Sequence, residues 1–310
     1  MSGHNPNGSP SDSSSDRPSD GGPQLDQKVA RDLAAVSRSG LLDYRSEALP
    51  TWCAGCGYYG IALGVTQALA AMEVEIHNLA VVSGIGCAGR FPFFMGGYGL
   101  HAVHGRALPI ASGIKIARPE LTVMAVGGDG DGLGIGSGHL PHTMRRNVDI
   151  TYVLFDNGIY GLTKGQSSPT TPTGQITGTH PYGNPDQPLD PLVLGVAYGA
   201  SSVAAAHAAD PEKIKEILLR SLRHPGFSFV VIQTPCITFD RVNISYEKLR
   251  HGWEPVPSDH LVTDRNAAMA LAMGEQRYAG VYFEERRPTY QDYDQATARK
   301  AKEQAGSEGK

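Results

Sequence analysis

Apolar residues recur at helical spacing through residues 57–72 (GYYGIALGVTQALAAM). The segment 78–83 (NLAVVS) that follows is short and continuously apolar, as a buried strand is. The alternation then repeats: residues 104–117 predict a helix, 121–126 (LTVMAV) a strand, 134–146 a helix and 150–155 (ITYVLF) a strand. Segments 192–198, 211–222 and 227–233 resume it. Strands alternating with helices predict an α/β fold with a parallel sheet and helices on both faces. Right-handed crossovers in such a sheet leave ligands at the carboxyl ends of the strands, where all the glycine-rich turns fall.

Outside this pattern the chain changes character. Residues 1–27 hold seven Ser, four Pro and four Gly with no aromatic, too little apolar surface to offset ordering entropy, which predicts a disordered tail. A short helical pattern (Val29, Leu33, Val36, with Leu41) follows over 28–44. Residues 163–191 are rich in Thr, Pro, Gly and Ser with little periodicity, too long for an ordinary connector and so a candidate functional loop. Beyond Cys236 come Trp253, Pro255, Pro257, a helix-like stretch over 264–274 and a polar end over 295–310. The expected division is therefore a tail over 1–27, an α/β domain over 28–236 and a C-terminal extension over 237–310.

Composition narrows the function classes. The 310 residues allow one large or two small domains at roughly 150 residues each. A net charge of −4 gives no global grip on nucleic acid or an anionic membrane. No apolar run approaches the roughly 18 residues of a spanning helix, and the N-terminal segment is not basic then apolar. The expectation is a soluble, cytoplasmic protein with neither nucleic-acid nor membrane partners. Glycine is the outlier: 38 residues of 310, well above the roughly 7% of average usage, with much of it between Gly84 and Gly138.

Two segments carry candidate chemistry. AVGGDGDGLGIGSG (125–138) follows one predicted strand, and DNGIYGLTKGQSS (156–168) follows the next. Asp129 and Asn157 are 28 positions apart with a helix between, so both fall at carboxyl ends of strands in one βαβ unit. Such a unit can hold a diphosphate through Mg²⁺, a hard cation that takes one or two carboxylates plus phosphate oxygens. Asp129 would give a carboxylate, Asn157 an amide oxygen and Ile159 a backbone carbonyl. Gly128, Gly130 and Gly132 would let backbone N–H groups approach the phosphate. An isolated Gly-Asp-Gly is also an ordinary turn; the paired Asn at this spacing is what points to a ligand. A kinase-type loop is excluded, since no G-x-x-x-x-G-K-[ST] occurs. Gly84-Ile-Gly86-Cys-Ala-Gly89 matches G-x-G-x-x-G, yet no Asp or Glu occurs between Gly84 and Glu120 to take a ribose hydroxyl, which counts against a dinucleotide.

The four cysteines, Cys53, Cys56, Cys87 and Cys236, form one C-x-x-C pair and two distant singles. A structural zinc site usually has two paired knuckles. Four thiolates converging on a strand-end face beside a diphosphate fit a [4Fe–4S] cluster better, with zinc and inert buried thiols as the alternatives.

Together CAGCG (53–57), GIGCAGR (84–90), HGRALPIASGIK (104–115), GGDGDGLGIG (127–136), DNGIYGLTKGQSSPTTPTG (156–174) and TPC (234–236) resemble the β subunit of the 2-oxoacid:ferredoxin oxidoreductases, most like the 2-oxoglutarate type. The resemblance spans about residues 44–246. It implies a thiamine diphosphate-binding fold, Mg²⁺, one [4Fe–4S] cluster on the four cysteines, and oxidative decarboxylation of 2-oxoglutarate to succinyl-CoA and CO₂, or the reverse, with ferredoxin as electron partner. It also implies an α subunit, as heterodimer or heterotetramer, because the glutamate needed against the cofactor is missing: between Cys53 and Ser168 the only glutamates are Glu73, Glu75 and Glu120. Cofactor contacts are implied for Ile85, Gly86, Cys87, Ala88, His104, Gly128, Asp129, Gly130, Asp131, Asn157, Ile159, Gly161, Leu162 and Thr163. His104 is implied in catalysis, its alternative being a helix cap. Arg90 and Lys164 are implied to hold substrate carboxylates, their alternative being solvated surface charges. The rival readings are a pyruvate or broad-range 2-oxoacid oxidoreductase, a nonoxidative thiamine diphosphate decarboxylase or carboligase, and a noncatalytic zinc-bound scaffold subunit.

Overall fold

The computed structural model describes residues 44–240 and 242–308. The expected tail over 1–27 and nearly all of the helical pattern after it lie outside the described residues.

The helical spacing of 57–72 forms α1 (Tyr58–Ala71), which feeds β1 (Leu79–Ser83). Then come β2 (Tyr98–His101), α2 (Ala107–Ala117), β3 (Thr122–Gly128), α3 (Leu140–Arg146) and β4 (Thr151–Asp156). A two-stranded ribbon, β5 (Ile159–Tyr160) with β6 (Gln166–Ser167), opens the long Thr/Pro loop. The chain continues through α4 (Pro191–Ala197), β7 (Ser202–His207), α5 (Pro211–Arg223) and β8 (Ser228–Gln233). It ends in α6 (Tyr246–His251), β9 (Trp253–Pro255), α7 (Arg265–Met273), β10 (Arg277–Glu284) and α8 (Tyr290–Glu308).

Eight strands form one sheet in the order β2-β1-β3-β4-β8-β7-β10-β9. The first six are mutually parallel; β10 runs antiparallel to β7, and β9 lies parallel to β10. Alternate residues of the central strands serve opposite layers, as the period of two requires. Val81, Met124, Val153, Phe155 and Val230 pack with Ile61, Val65 and Leu69 of α1 and Ile214, Ile217 and Leu218 of α5. Ala80, Val123, Tyr152, Leu154 and Phe229 pack with α2, α3, α4 and α7 on the other side. Burying each such side chain contributes about 1.5–3 kcal/mol. Asp190, Asp210 and Asp264 cap α4, α5 and α7 by accepting from backbone N–H groups of their first turns, each worth about 1 kcal/mol.

Four details differ from the sequence pattern. The helix expected over 134–146 is α only from Leu140; before it Gly130–Ile135 forms a π-type turn kinked at Gly134, and Ser137–His139 a 3₁₀ turn. Alternating glycines make a regular helix entropically costly there. The helix expected from His104 begins at Ala107, leaving His104 in the preceding loop. Strand β7 (SVAAAH) was not expected, because its alanines carry little strand propensity, yet it is buried throughout between β8 and β10. Strands β2 and β10 also escaped the pattern, so the C-terminal segment extends the same sheet with antiparallel pairing.

No helix among the described residues is long and apolar enough to cross a membrane.

Candidate functional site

The carboxyl ends of β1, β3, β4 and β8 meet over two adjoining cavities. The larger, about 610 Å³, is lined by the glycine-rich turn after β3 and by the ribbon loop after β4. Asp129 follows β3 directly and is 2% exposed. Its Oδ1 accepts from Asn157 N at 3.5 Å, and its Oδ2 accepts from Thr170 Oγ1 at 2.9 Å. Thr170 Oγ1 also lies 2.7 Å from Asp156 Oδ1. A hydroxyl has one proton, so it cannot donate to both carboxylates at once. Burial raises the Asp129 carboxyl. Burial first, then the Asp129 charge, push Asp156 up to about 7. The pair is thus short of positive charge, which a divalent cation beside Asp129 would supply.

Asp131 has a different task from Asp129. Its Oδ1 accepts from Ile85 N at 2.9 Å and Gly105 N at 2.8 Å, and it pairs with His104 Nδ1 at 2.6 Å. The carboxylate therefore ties the loops after β1 and before α2 to the turn after β3, and sets His104 as the Nδ1–H tautomer. Gly84 must be glycine, since a Cβ there would overlap Asp131 Oδ2. His104 is not a helix cap; it lines the cavity.

Ile85, Gly86, Cys87, Ala88, His104, Gly128, Asp129, Gly130, Asp131, Asn157, Ile159, Gly161, Leu162 and Thr163 all line this cavity. Tyr58, Tyr160, Gln166, Ser167 and Thr179 line it too, and sequence reasoning did not name them. Tyr58 sat in the apolar stripe of α1 and read as core. Thr170 and Asp156 fall within the segment 156–174 but had no signal of their own: one is a threonine in a threonine-rich loop, the other the last residue of a strand.

The smaller cavity, about 170 Å³, brings Cys53, Cys56, Cys87 and Cys236 together with Arg90 and Lys164. All four cysteines are free thiols. Burial pushes Cys56 up to about 12 and Cys87 to about 11, with the other cysteines repelling further thiolate charge. Such sulfurs become thiolates only against a cation. Among the described residues no three His, Cys, Asp or Glu side chains stand close enough about one point to hold a metal ion. The two cavities share Tyr58, Cys87, Asn157, Gly161 and Leu162. A Cβ on Gly161 would stand 3.6 Å from both Cys87 Sγ and Cys236 Sγ and 3.9 Å from Asn157 Nδ2. At this position a backbone without side chain lies between the sulfurs and the larger cavity. Lys164 sits in the left-handed region (φ 87°), a conformation costing a non-glycine residue about 1 kcal/mol or more. The turn is held by Gly165 N donating to Tyr160 O at 2.8 Å.

Residues 77–232 match the family model described as the C-terminal TPP binding domain of thiamine pyrophosphate enzymes. Residues 236–299 match the C-terminal model of the pyruvate ferredoxin oxidoreductase β subunit. Over 223 residues the chain is 40% identical to 2-oxoacid:ferredoxin oxidoreductase 2, subunit beta, of Aeropyrum pernix, covering 69% of this chain and 72% of that one. The chain belongs to the β subunits of the 2-oxoacid:ferredoxin oxidoreductases. Within that family it is 46% identical to the 2-oxoglutarate synthase subunit KorB of Archaeoglobus fulgidus over 202 residues, 64% of this chain and 75% of the relative. Its fold superposes on a 2-oxoglutarate:ferredoxin oxidoreductase from Magnetococcus marinus, solved with 2-oxoglutarate, coenzyme A and succinyl-CoA bound. The TM-score is 0.81 at 44% identity, covering 84% of this chain and 90% of that chain. The join between the two family models, at 232–236, coincides with the end of β8 and the Thr-Pro-Cys segment.

Proposed function

We propose that this β subunit works in a 2-oxoglutarate:ferredoxin oxidoreductase. With its α subunit it would convert 2-oxoglutarate and coenzyme A to succinyl-CoA and CO₂, or run the reverse carboxylation, passing single electrons through a [4Fe–4S] cluster to ferredoxin. The observation that carries this reading is the contact of the two cavities across Gly161. A nonoxidative thiamine enzyme needs the diphosphate side but has no use for four thiols against it, and a zinc scaffold would use the thiols but has no need of the diphosphate side. The names of the KorB relative and of the M. marinus enzyme favour 2-oxoglutarate over pyruvate.

Thiamine diphosphate, when bound, supplies the electron sink for loss of CO₂ from a 2-oxoacid. This chain's residues would do the rest. Asp129, the Asn157 side-chain oxygen and the Ile159 carbonyl would hold Mg²⁺ and through it the diphosphate. Backbone N–H groups of the turn after β3 would meet the phosphates, and Asp131 keeps His104 turned into the cavity as a hydrogen-bonding group. Among the described residues the only carboxylates lining the cavity are Asp129 and Asp131, and each accepts hydrogen bonds from the protein. The glutamate that the family resemblance implies against the cofactor would come from the α subunit. Cys53, Cys56, Cys87 and Cys236 would hold the cluster as electron acceptor. Arg90 and Lys164, beside that cavity, would pair with the two carboxylates of the substrate.

The test is co-expression with the α subunit, followed by coenzyme A-dependent reduction of a one-electron dye with a panel of 2-oxoacids. The expected result is a brown complex with iron and acid-labile sulfide that turns over 2-oxoglutarate faster than pyruvate. Faster turnover of pyruvate, or full activity of the isolated chain, would overturn it.

A further inference from the structure

Tyr58 stands where the two cavities meet and lines both. It is 2% exposed, its ring held edge-on by Trp52 at 5.7 Å and against Phe155 at 5.2 Å. Its hydroxyl is the one polar atom of α1 that reaches the Asn157 side chain, and the direction of that hydrogen bond is fixed by the rest of the amide. Ile159 N, which can only donate, lies 3.2 Å from one Asn157 side-chain atom, so that atom is Oδ1. The other is therefore Nδ2, which donates to Tyr58 Oη at 3.3 Å. Tyr58 oxygen is thus an acceptor on the diphosphate side, and its own proton remains to be placed. Among the described residues no oxygen or nitrogen accepts it, although a buried phenol O–H normally finds a partner. The second cavity that Tyr58 lines holds Cys53, Cys56, Cys87 and Cys236. The free proton thus has the cysteine chamber beside it.

We propose that Tyr58 is a positioning residue linking the two centres: it locks the Asn157 amide with its oxygen toward the metal and donates its phenolic proton to a sulfur of the cluster. This rests on the function proposed above. The first half follows from amide geometry, since without an acceptor at Tyr58 the Asn157 side chain is held only through Ile159 N. The second half follows from the known sensitivity of iron–sulfur potentials to hydrogen bonds on sulfur: a donated proton stabilises the more negative, reduced cluster. One hydroxyl would then serve cofactor retention on one side and electron acceptance on the other.

The experiment uses the αβ complex carrying Tyr58→Phe, which keeps the ring packing and removes only the hydroxyl. An EPR-monitored redox titration should show the cluster harder to reduce, the reduction equilibrium falling about threefold to tenfold. Calorimetric affinity for thiamine diphosphate with Mg²⁺ should also fall several-fold, while the melting temperature and iron content stay as in the wild type. As a second variant, 3-fluorotyrosine at position 58, a stronger donor of the same shape, should move the potential in the opposite direction. A purely structural tyrosine would not give shifts of opposite sign. An unmoved potential in both variants, or unmoved cofactor affinity in Tyr58→Phe, overturns the proposal while leaving the assigned activity standing. A wild-type complex without iron and sulfide overturns both.

Discussion

The two cavities that meet at Gly161 are organised in opposite ways. On the diphosphate side the protein has already paired its groups with each other. Asp131 is held by two backbone N–H groups and His104, Asn157 by Ile159 and Tyr58, and Asp129 by Thr170. On the cysteine side the four thiols line one cavity, with burial and mutual repulsion keeping Cys56 and Cys87 protonated. The first cavity is prearranged by its own hydrogen bonds, whereas the second would be completed by the charge of a bound metal centre. Preorganisation lowers the cost of binding on one side; on the other, binding and local folding are the same event. The two should therefore fail independently when mutated.

The largest expected effect is at Asp129, the sole charged protein ligand in the proposed metal site. Asp129→Ala should weaken retention of thiamine diphosphate and Mg²⁺ by roughly 100-fold or more, as loss of a charge-assisted contact worth about 3 kcal/mol implies. Iron content should remain at the wild-type level. Dialysis followed by cofactor and metal analysis checks both; loss of iron together with the cofactor would show that the two cavities are one cooperative unit.

The reciprocal variant comes next. Cys236→Ser replaces a soft ligand with a harder, poorer one, so most of the iron, the sulfide and the reduced cluster's paramagnetic signal should disappear. Affinity for thiamine diphosphate should change by less than about threefold, because every group that prearranges the diphosphate side is untouched. A normal cluster in Cys236→Ser would remove Cys236 from the ligand set.

Arg90, which lines the cysteine cavity and not the larger one, tests how the substrate is held. A dicarboxylate carries one more charge into a water-poor site than pyruvate does, and an unpaired carboxylate there is heavily penalised. If Arg90 holds the distal carboxylate, Arg90→Gln should lower kcat/KM for 2-oxoglutarate about 10-fold to 100-fold more than for pyruvate. An equal loss for both substrates would assign Arg90 to the carboxylate they share.

What the sequence disclosed follows the same divide between local and assembled features. Strands β1, β3, β4 and β8 were legible because LAVVS, TVMAVGG, TYVLFD and SFVVIQ are apolar runs ending in turn residues. Strand β7 was not, since SVAAAH becomes a strand only through its neighbours, and β2, fully exposed at the sheet edge, lacks a core face to pattern it. Asp129 and Asn157 were legible from spacing, because each immediately follows a strand. Asp131 was grouped with them by proximity, although its hydrogen bonds make it a brace. Thr170 and Tyr58 were invisible: their roles come from a loop folding back over β4 and from a helix arriving from 99 residues away.

The smallest effect lies at the opposite, amino ends of the strands and provides the control. His224 is buried where α5 turns toward β8, and Ser201 Oγ, which donates to Phe227 O at 3.1 Å, accepts from His224 Nε2 at 2.9 Å. Nε2 of the imidazole therefore carries a proton. Burial holds its pKa below the ordinary value of 6.5. The unfolded chain then binds the proton more readily, so the stability from this group is complete above pH 6.5 and is lost as pH falls from there toward the folded value. His207, shifted the same way by burial, adds to this slope. Asp156 opposes it in the cofactor-free protein, where its raised pKa favours the folded state at low pH and that advantage is lost as pH rises through about 7. The informative quantity is consequently the difference between wild type and His224→Gln, whose amide can still donate to Ser201. Melting temperatures from pH 8 to 5.5 should fall more steeply for the wild type, while iron content and cofactor affinity match in the two proteins. Parallel melting curves would show that His224 does not titrate across folding.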